Sequence, residues 1–309
     1  MFLKTTGTFP SSDGHSQAAC YYYEPETGKP QAVIQISHGM CEYMERYEDF
    51  AAYLCGKGFA ICGNDHLGHG RTAAAPEELG YFSAGNGPDF LTGDLARMSE
   101  LAHTRYPNLP LFLFGHSMGS FIARLYLPKY ADFLNGAIIC GTSGGNPLAG
   151  AGAFLASMTA SFKGDRFRSP LLTKLAFGSY NNRFRDSDSP NAWLSTDPQI
   201  VKKYDADPWC TFTFTASAYR DLFAMLRQIS THQWAESLPK DLPLLLLAGE
   251  DDPVGDYGVG VRKVACRLLR AGIQNLSCRL YPNMRHEVLN ERSRLQVYQD
   301  VENWIREFL

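Results

Sequence analysis

Short apolar runs alternate along this chain with longer segments in which apolar residues recur at helical spacing. The runs have the length of β-strands, and most lack the polar–apolar alternation of a strand with one solvated face. Continuously apolar strands are typical of a parallel sheet that is covered on both faces. The six runs are AVIQIS (32–37), FAICGND (59–65), PLFLFG (110–115), GAIICG (136–141), LPLLLLAG (242–249) and LSCRLYP (276–282).

Helix-length amphipathic segments separate or follow these runs. They span residues 43–58, 88–107, 117–131, 258–272 and 293–309. Gly58 and Gly272 stand where helices commonly end. The alternation of strands and helices predicts an α/β protein with a mostly parallel central sheet that is flanked by helices on both sides.

The alternation stops between residues 145 and 235. This stretch contains short helical candidates and no convincing strand. Its aromatic and aliphatic content, which includes Trp193 and Trp209, is too high for a disordered linker. We therefore predict a core formed by residues 1–144 and 236–309, and a helical insertion at 145–235 that lies over the sheet as a cap.

Composition narrows the classes of function. The 309 residues carry a net charge of −3 without a cluster of Lys or Arg, so the chain lacks the basic surface that binds nucleic acid. No apolar stretch reaches the roughly 18–20 residues of a membrane-spanning helix. The first residues do not have the pattern of a secretory signal. We expect a cytoplasmic protein whose eight cysteines are buried free thiols rather than four disulfides.

A serine between two glycines stands where a strand pattern passes into a helix pattern. The segment 115–119, GHSMG, fits G-x-S-x-G, which in a strand–turn–helix setting holds a nucleophilic serine on a sharp turn. The glycines leave space where side chains would collide with the neighbouring strand and helix. We predict that Ser117 is a nucleophile. The alternative is a tight turn that happens to contain a serine.

A serine nucleophile needs a base, and the base needs a carboxylate that orients it. In an α/β sheet such groups lie in the loops after the carboxyl ends of the strands. His286 follows the last predicted strand and precedes the last helix, so we predict that it is the base. The loop after LPLLLLAG offers Glu250, Asp251, Asp252 and Asp256 as the acid. Asp252, which precedes a proline that stiffens the turn, is the preferred candidate, and the others are expected to be solvated.

Backbone N–H groups are expected to stabilise the oxyanion that forms during attack. One donor should be Met118, directly after the nucleophile. The other should lie after the strand that ends at Ser37, where the chain turns through His38 and Gly39, and Met40 is the candidate. His38 is expected to bond the backbone of this loop rather than to act as a second base.

Two other segments invite different chemistry. Residues 65–70 read DHLGHG and place two histidines three residues apart, but further ligands at suitable spacing are missing. We interpret this segment as a tight turn after a strand. Cys41, next to the predicted oxyanion loop, is interpreted as a packed thiol. Neither a cofactor nor a metal is expected.

Four of these motifs together resemble the α/β-hydrolase fold. They resemble most closely its monoacylglycerol lipase and lysophospholipase-like branch, which is grouped with the serine aminopeptidases of type S33, and within it the bacterial members. In that branch the acid is third after the glycine that ends the strand, which implies Asp252, and the oxyanion donor follows the HG pair, which implies Met40. The motifs are HGMCEYMERYEDFAAYLCGKGFAICGNDHLGHG, GHSMGS, GEDDPVG and NMRHEVLNE.

The resemblance implies a serine esterase that acts on an acyl ester of moderate chain length, such as a monoacylglycerol or a lysophospholipid. The insertion corresponds to the cap of that family, and its apolar, aromatic character leaves open a transient contact with a membrane surface. Two rival functions also remain open. One is a non-catalytic binding protein of the same fold. The other is a peptidase acting on short N-terminal residues, which would need a cap carboxylate for the substrate amine: Asp186, Asp188, Asp197, Asp205 or Asp207.

Overall fold

A single eight-stranded sheet forms the centre of the computed structural model, which describes residues 2–185 and 187–309. The strands are β1 (Phe2–Pro10), β2 (Gln17–Pro25), β3 (Val33–Ser37), β4 (Ala60–Asn64), β5 (Leu111–His116), β6 (Gly136–Cys140), β7 (Leu244–Gly249) and β8 (Leu276–Tyr281). Their order in the sheet is β1-β2-β4-β3-β5-β6-β7-β8.

The six predicted strands are β3 to β8, and they run parallel to one another. The sequence analysis missed β1 and β2, which form an antiparallel hairpin at the edge of the sheet. β2 pairs antiparallel with β4, with Tyr22 opposite Cys62. The sheet is therefore mostly parallel, with an antiparallel extension that comes from the first 25 residues.

Ten helices are formed by the described residues, and the five predicted for the core are among them. Those of the core are α1 (Glu48–Gly56), α2 (Gly87–Arg105), α3 (Met118–Tyr130), α9 (Val259–Arg270) and α10 (Arg294–Arg306). Between α3 and α9 lie α4 (Ala149–Lys163), α5 (Pro170–Phe177), α6 (Pro198–Asp205), α7 (Ala216–Ile229) and α8 (His232–Glu236).

Each face of the sheet has its own apolar core, which explains the continuously apolar strands. In β5, Leu113 packs on one side with Leu95 of α2 and Ile122 of α3. Phe112 and Phe114 point to the other side, where α1 and α10 cover them. Successive side chains of a strand alternate between faces, so a strand that is covered on both faces must be apolar at every position.

The predicted cap region, residues 145–235, contains α4 to α7 and the start of α8. α4 packs along α7, and α7 also contacts α2 and α3 of the core. The division of the chain at residues 145 and 235 stays a prediction, as does the cytoplasmic location. No helix within residues 2–185 or 187–309 is both long and apolar enough to cross a membrane.

All eight cysteines are free thiols, and six of them are buried. The prediction of burial is wrong for Cys266 and Cys278, which are exposed. Cys266 lies on the outer side of α9, and Cys278 lies on β8, the strand at the edge of the sheet.

Candidate active site

Ser117 lies at the turn between β5 and α3, at the carboxyl edge of the sheet. Its backbone has φ 53° and ψ −121°, a conformation that residues with a side chain rarely adopt. Its N–H donates to the carbonyl oxygen of Cys140, at the end of β6, over 2.9 Å. This bond holds the strained turn against the sheet while the serine side chain stays partly exposed.

Gly115 and Gly119 let α3 approach the sheet more closely than side chains would allow. A Cβ on Gly119 would lie 2.0 Å from the carbonyl oxygen of Ser37 and 2.4 Å from that of His38. A Cβ on Gly115 would lie 2.7 Å from the carbonyl oxygen of Gly119. A side chain on Gly119 would therefore push α3 away from the loop that follows β3, and a side chain on Gly115 would push α3 away from β5.

The structure brings Ser117, His286 and Asp252 together from three separate segments. His286 lies in the loop after β8, and Asp252 lies in the loop after β7. Nε2 of His286 is 2.8 Å from Oγ of Ser117, and Nδ1 is 3.0 Å from Oδ1 of Asp252. When Nδ1 carries the proton and donates to the carboxylate, Nε2 accepts the hydrogen bond of the serine hydroxyl.

Asp252 is fully buried, and its own loop fixes it in place. Its Oδ1 accepts a second hydrogen bond, from the N–H of Val254 at 2.9 Å. Of the four candidate acids, it alone lies within hydrogen-bonding distance of His286. The other three are partly or fully exposed: Glu250, Asp251 and Asp256.

The two predicted oxyanion donors flank the serine turn. Met118 is the residue after Ser117, and Met40 follows Gly39, on which a Cβ would lie 3.0 Å from the Cβ of Ser117. Neither the N–H of Met40 nor that of Met118 donates to an acceptor within residues 2–185 and 187–309. Both N–H groups are therefore available to an oxygen bound beside Ser117.

His38 bonds the loop backbone. The N–H of His66 donates to Nε2 of His38 over 2.9 Å, so Nε2 is unprotonated and Nδ1 donates to the carbonyl of Gly39 over 2.8 Å. Burial lowers the pKa of His38, which agrees with a neutral ring. In a planar trans peptide, C=O and N–H point in opposite directions. Holding the carbonyl of Gly39 toward His38 therefore turns the N–H of Met40 away from it.

The segment 65–70 is a tight turn in which Asp65 and His69 hydrogen-bond to other groups of the protein. The carboxylate of Asp65 accepts hydrogen bonds of 2.8 Å from the N–H groups of Met44 and Arg71 and from the hydroxyl of Tyr21. Burial lowers the pKa of His69 to about 3, so this ring is neutral. The segment supports the loops around the site rather than contributing a reacting group.

A buried charge network that the sequence analysis missed lies beneath the site. Oε1 of Glu42 accepts hydrogen bonds from the N–H of Gly39 and from Nδ1 of His116, the latter at 2.9 Å. Arg46 donates to Glu42 at 3.2 Å and to both carboxylate oxygens of Glu287, at 2.7 and 2.8 Å. The network thus bonds the neighbours of Met40, Ser117 and His286. The only local signal was the opposite charges of Glu42 and Arg46, which are four residues apart in the sequence.

Burial and pairing act in opposite directions on the network. Burial by itself would lower the pKa of His116, but the charge and hydrogen bond of Glu42 raise it above its ordinary value. Burial would raise the pKa of Glu42, but His116 and Arg46 hold it well below its usual range. Nε2 of the protonated His116 then donates to the carbonyl of His286 over 3.3 Å.

Aromatic side chains of the cap region cover the His286 ring. The centroid of the Trp193 ring is 5.0 Å from that of His286. Tyr180 and Phe177 pack against the same tryptophan at 5.0 and 6.4 Å. One wall of the site is therefore apolar and aromatic.

Cys41 is a packed thiol. Its Sγ–H donates to the carbonyl of Phe212 over 3.3 Å. Burial raises the pKa of Cys41, which keeps the thiol protonated and unreactive at neutral pH.

The cap carboxylates proposed for amine binding have other partners or face solvent. Asp197 accepts the N–H of Gln199 at the start of α6, Asp205 accepts hydrogen bonds from Ser189 and Asn191, and Asp207 accepts the hydroxyl of Tyr43. Asp188 is exposed, and Asp186 lies outside the described residues. None of the four described carboxylates hydrogen-bonds Ser117 or His286.

Residues 28–293 match the family model described as Hydrolase_4, "Serine aminopeptidase, S33". The matched span includes Ser117, Asp252 and His286 together with the whole predicted cap. The chain belongs to this family. Its fold is the α/β-hydrolase fold, as the sequence predicts.

Similar proteins carry lipase and esterase names. Monoacylglycerol lipase of Mycolicibacterium smegmatis is 28% identical over 92% of this chain and 90% of its own length. Human monoglyceride lipase is 26% identical over 93% of this chain and 86% of its own length. The structure of a thermostable carboxyl esterase from Bacillus coagulans, in complex with glycerol, has a TM-score of 0.93 at 30% identity, covering 100% of this chain and 99% of that one. The chain is accordingly a serine carboxylester hydrolase, and the non-catalytic alternative is set aside.

Proposed function

We propose that this hydrolase cleaves esters of moderately apolar acyl chains, such as monoacylglycerols or lysophospholipids, through an acyl-enzyme at Ser117. The observation that carries the proposal is the hydrogen-bonded chain from Ser117 Oγ through His286 to Asp252, with links of 2.8 and 3.0 Å. The free N–H groups of Met40 and Met118 beside the serine give further support.

In the first half of the reaction, Oγ of Ser117 attacks the ester carbonyl while Nε2 of His286 takes the hydroxyl proton. The carbonyl oxygen becomes an oxyanion, which the N–H groups of Met40 and Met118 stabilise. Asp252 stabilises the imidazolium through Nδ1 without taking its proton. The intermediate collapses, the alcohol leaves with the proton from Nε2, and the acyl group stays on Ser117.

In the second half, a water molecule replaces the alcohol. Nε2 of His286 takes a proton from this water, and the hydroxide attacks the acyl carbonyl. The second tetrahedral intermediate expels Oγ of Ser117, which takes the proton back from Nε2. The acid is released and the enzyme returns to its starting state.

The site residues must be tested directly. We expect Ser117→Ala to abolish hydrolysis of p-nitrophenyl butyrate and labelling by a fluorophosphonate, since both reactions form their covalent bond at Oγ of Ser117 in the proposed mechanism. Ser157→Ala is the control, because Ser157 lies in α4 and its hydroxyl donates to the carbonyl of Ala153. Undiminished turnover in Ser117→Ala would refute the mechanism.

The acyl and alcohol preferences need a substrate panel. The aromatic wall formed by Phe177, Tyr180 and Trp193 favours apolar substrates, and relatives over most of the chain are named for monoacylglycerol. We therefore expect acyl glycerols to be hydrolysed faster than peptide substrates. The family description also names an aminopeptidase, so a prolyl-aminocoumarin substrate belongs in the panel. Faster cleavage of that amide than of the esters would favour the peptidase function.

The cap region also presents an apolar surface that suits contact with lipid. Phe154, Met158 and Phe162 recur every four residues along one side of α4 and are 68%, 39% and 77% exposed. Leu171 and Leu175 are similarly exposed on α5. On soluble proteins, exposed apolar patches of this kind mark sites of contact with other proteins or with membranes. An amphiphilic ester could enter from a membrane surface that rests transiently on these helices.

Vesicle binding tests this contact. We expect the double variant Phe154→Ser and Phe162→Ser to bind phosphatidylcholine vesicles more weakly than the unchanged protein in a flotation assay. Leu295→Ser is the matched control, because Leu295 is 60% exposed but lies on α10, in the core. Equal binding by all three proteins would exclude the patch as the contact.

A further inference from the structure

One part of the cap region contacts both loops that form the site. Residues 192–212, which we call the bridging segment, read AWLSTDPQIVKKYDADPWCTF and include α6. Their first residues lie against the loop that carries His286, and their last residues lie against the loop that carries Met40. These contacts are independent of the triad hydrogen bonds described above.

The start of the bridging segment pairs with the His286 loop through its backbone. The N–H of His286 donates to the carbonyl of Trp193 over 3.4 Å, and the N–H of Glu287 donates to that of Leu194 over 2.7 Å. Trp193 also packs its ring on the imidazole. Both the backbone and the ring of His286 are therefore held by the cap region.

Glu291, five residues after His286, joins the two segments. This carboxylate is 99% buried and accepts the N–H of Thr196 at 3.0 Å and the hydroxyl groups of Ser195 and Thr196. It also accepts the N–H of Arg285, the residue before His286, at 2.8 Å. A single buried carboxylate thus fixes residue 285 and residues 195–196 relative to each other.

Arg285 adds a second link between the same two segments. Its Nη1 donates to the carbonyl of Ala192 at 2.6 Å and to that of Ser195 at 3.1 Å. These bonds lie on either side of the Trp193–Leu194 pairing. The bridging segment cannot lift away without disturbing the backbone on both sides of His286.

The end of the bridging segment contacts the loop after β3. The hydroxyl of Tyr43 donates to Asp207 over 2.7 Å, and its ring meets the edge of Trp209 at 5.1 Å. The Arg46 guanidinium lies over the ring of Tyr204 at 5.0 Å. Tyr43 is three residues beyond Met40, so the same segment that supports the base also supports the oxyanion donor.

We propose that the bridging segment positions the catalytic groups, and that Glu291 and Thr196 are positioning residues for His286. This inference rests on the proposed function, in which His286 is the base. The loop that holds His286 contains only a short 3-10 turn, Val288–Asn290, so the sheet alone does not fix its geometry. Hydrogen bonds from Glu291 and the bridging segment supply the missing constraint.

Thr196→Val and Glu291→Gln test the inference, because each removes bonds to the His286 loop without touching Ser117. A misplaced base slows the chemical step, so we expect kcat for p-nitrophenyl butyrate to fall about 10- to 100-fold with KM changed by less than about twofold. The rate of fluorophosphonate labelling should fall in parallel. Thr196→Ser keeps the hydroxyl and should recover most of the activity.

Asp205→Asn is the matched control. Asp205 lies on the same segment and accepts hydrogen bonds from Ser189 and Asn191, but it does not bond the His286 loop. We expect Asp205→Asn to keep kcat. If Thr196→Val keeps kcat and raises KM, the segment binds substrate and does not position the base. If Thr196→Ser is as slow as Thr196→Val, the hydroxyl bond does not position the base either.

A variant that does not fold, and a failure of the proposed function, can each be distinguished from a failure of the positioning role. If Glu291→Gln does not fold, Thr196→Val and Thr196→Ser decide the question alone. If the unchanged protein hydrolyses no ester of the panel, the proposed function fails. The labelling rate of Ser117 still measures activation by His286 in that case, and an unchanged rate in Thr196→Val would overturn the positioning role.

Discussion

Replacing Gly119 by alanine tests whether the close approach of α3 to the sheet sets the geometry of the site. Gly119 is in the first turn of α3, two residues after Ser117. The added methyl group would meet backbone atoms, the carbonyl oxygens of Ser37 at 2.0 Å and His38 at 2.4 Å. A neighbouring side chain could rotate away from the new methyl group. These carbonyls are backbone groups at the end of β3 and in the loop after it, and they cannot rotate away. The helix and the loop must therefore move apart.

The size of the effect follows from these distances. Cβ atoms in proteins essentially never come within 3.0 Å of another heavy atom, so Gly119→Ala must open the gap to Ser37 by about 1.0 Å. This separates Ser117 and Met118 on one side from Met40 on the other. A displacement of about 1 Å between catalytic groups costs on the order of 100-fold in rate, which corresponds to about 2.7 kcal/mol in the barrier. Overpacking should also lower the free energy of unfolding by about 1–3 kcal/mol.

The assay is kcat/KM for p-nitrophenyl butyrate, with the melting temperature measured on the same samples. Gly56→Ala is the control, because Gly56 ends α1 and a Cβ there has no heavy atom within 4 Å. Its activity should be unchanged, and alanine should be tolerated in the helix. If Gly119→Ala stays within about threefold of this control, the reasoning from close approach is wrong.

Two further predictions concern charged groups. Asp252→Asn should lower kcat by about 10⁴-fold because the neutral amide favours the wrong tautomer of His286. Asp251→Asn, the control, should stay within about twofold of the unchanged protein. If the ester assay instead shows the large loss in Asp251→Asn, Asp251 and not Asp252 is the catalytic acid. Because Glu42 raises the pKa of His116, their ion pair stabilises the fold fully below about pH 6.5, and this stabilisation is lost as the pH rises through the raised pKa. The free energy of unfolding in urea should thus fall more between pH 6 and pH 9 in the unchanged protein than in His116→Gln, and parallel curves would contradict the pairing.

The hydrophobic pattern predicts those elements whose environment is uniform along their length. β5 is apolar at nearly every position because both faces are covered, and so its run is visible in the sequence. β1 gives no such signal, since most of FLKTTGTFP is exposed at the edge of the sheet. It forms because its backbone pairs with β2, and β2 in turn pairs with β4. The pairing of β2 with β4 joins residues about 40 positions apart, such as Tyr22 and Cys62, and leaves little trace in local composition.

The residues of the candidate site were likewise predicted only in part. Ser117 and His286 could be placed because each follows a strand, and carboxyl ends of parallel strands meet at one edge. The residues alone left four acids open, and the resemblance selected Asp252. The buried charge network could not be predicted as a whole. His116 is 74 residues from Glu42, and Glu287 is 241 residues from Arg46, so these pairs form only once the sheet has formed.

The sequence predicts the edge of the sheet at which His286 lies, but not the exact position of its imidazole ring. The end of β8 brings the residue to the correct edge of the sheet, but the loop beyond β8 has little regular structure of its own. The imidazole must be held to about 0.5 Å for efficient proton transfer. That accuracy comes from groups on opposite sides, with His116 and Arg46 acting on the core side and Glu291 with the bridging segment acting on the cap side. On the positioning proposal, the bridging segment belongs to the catalytic geometry, and substitutions at its contacts with the His286 loop should lower kcat rather than raise KM.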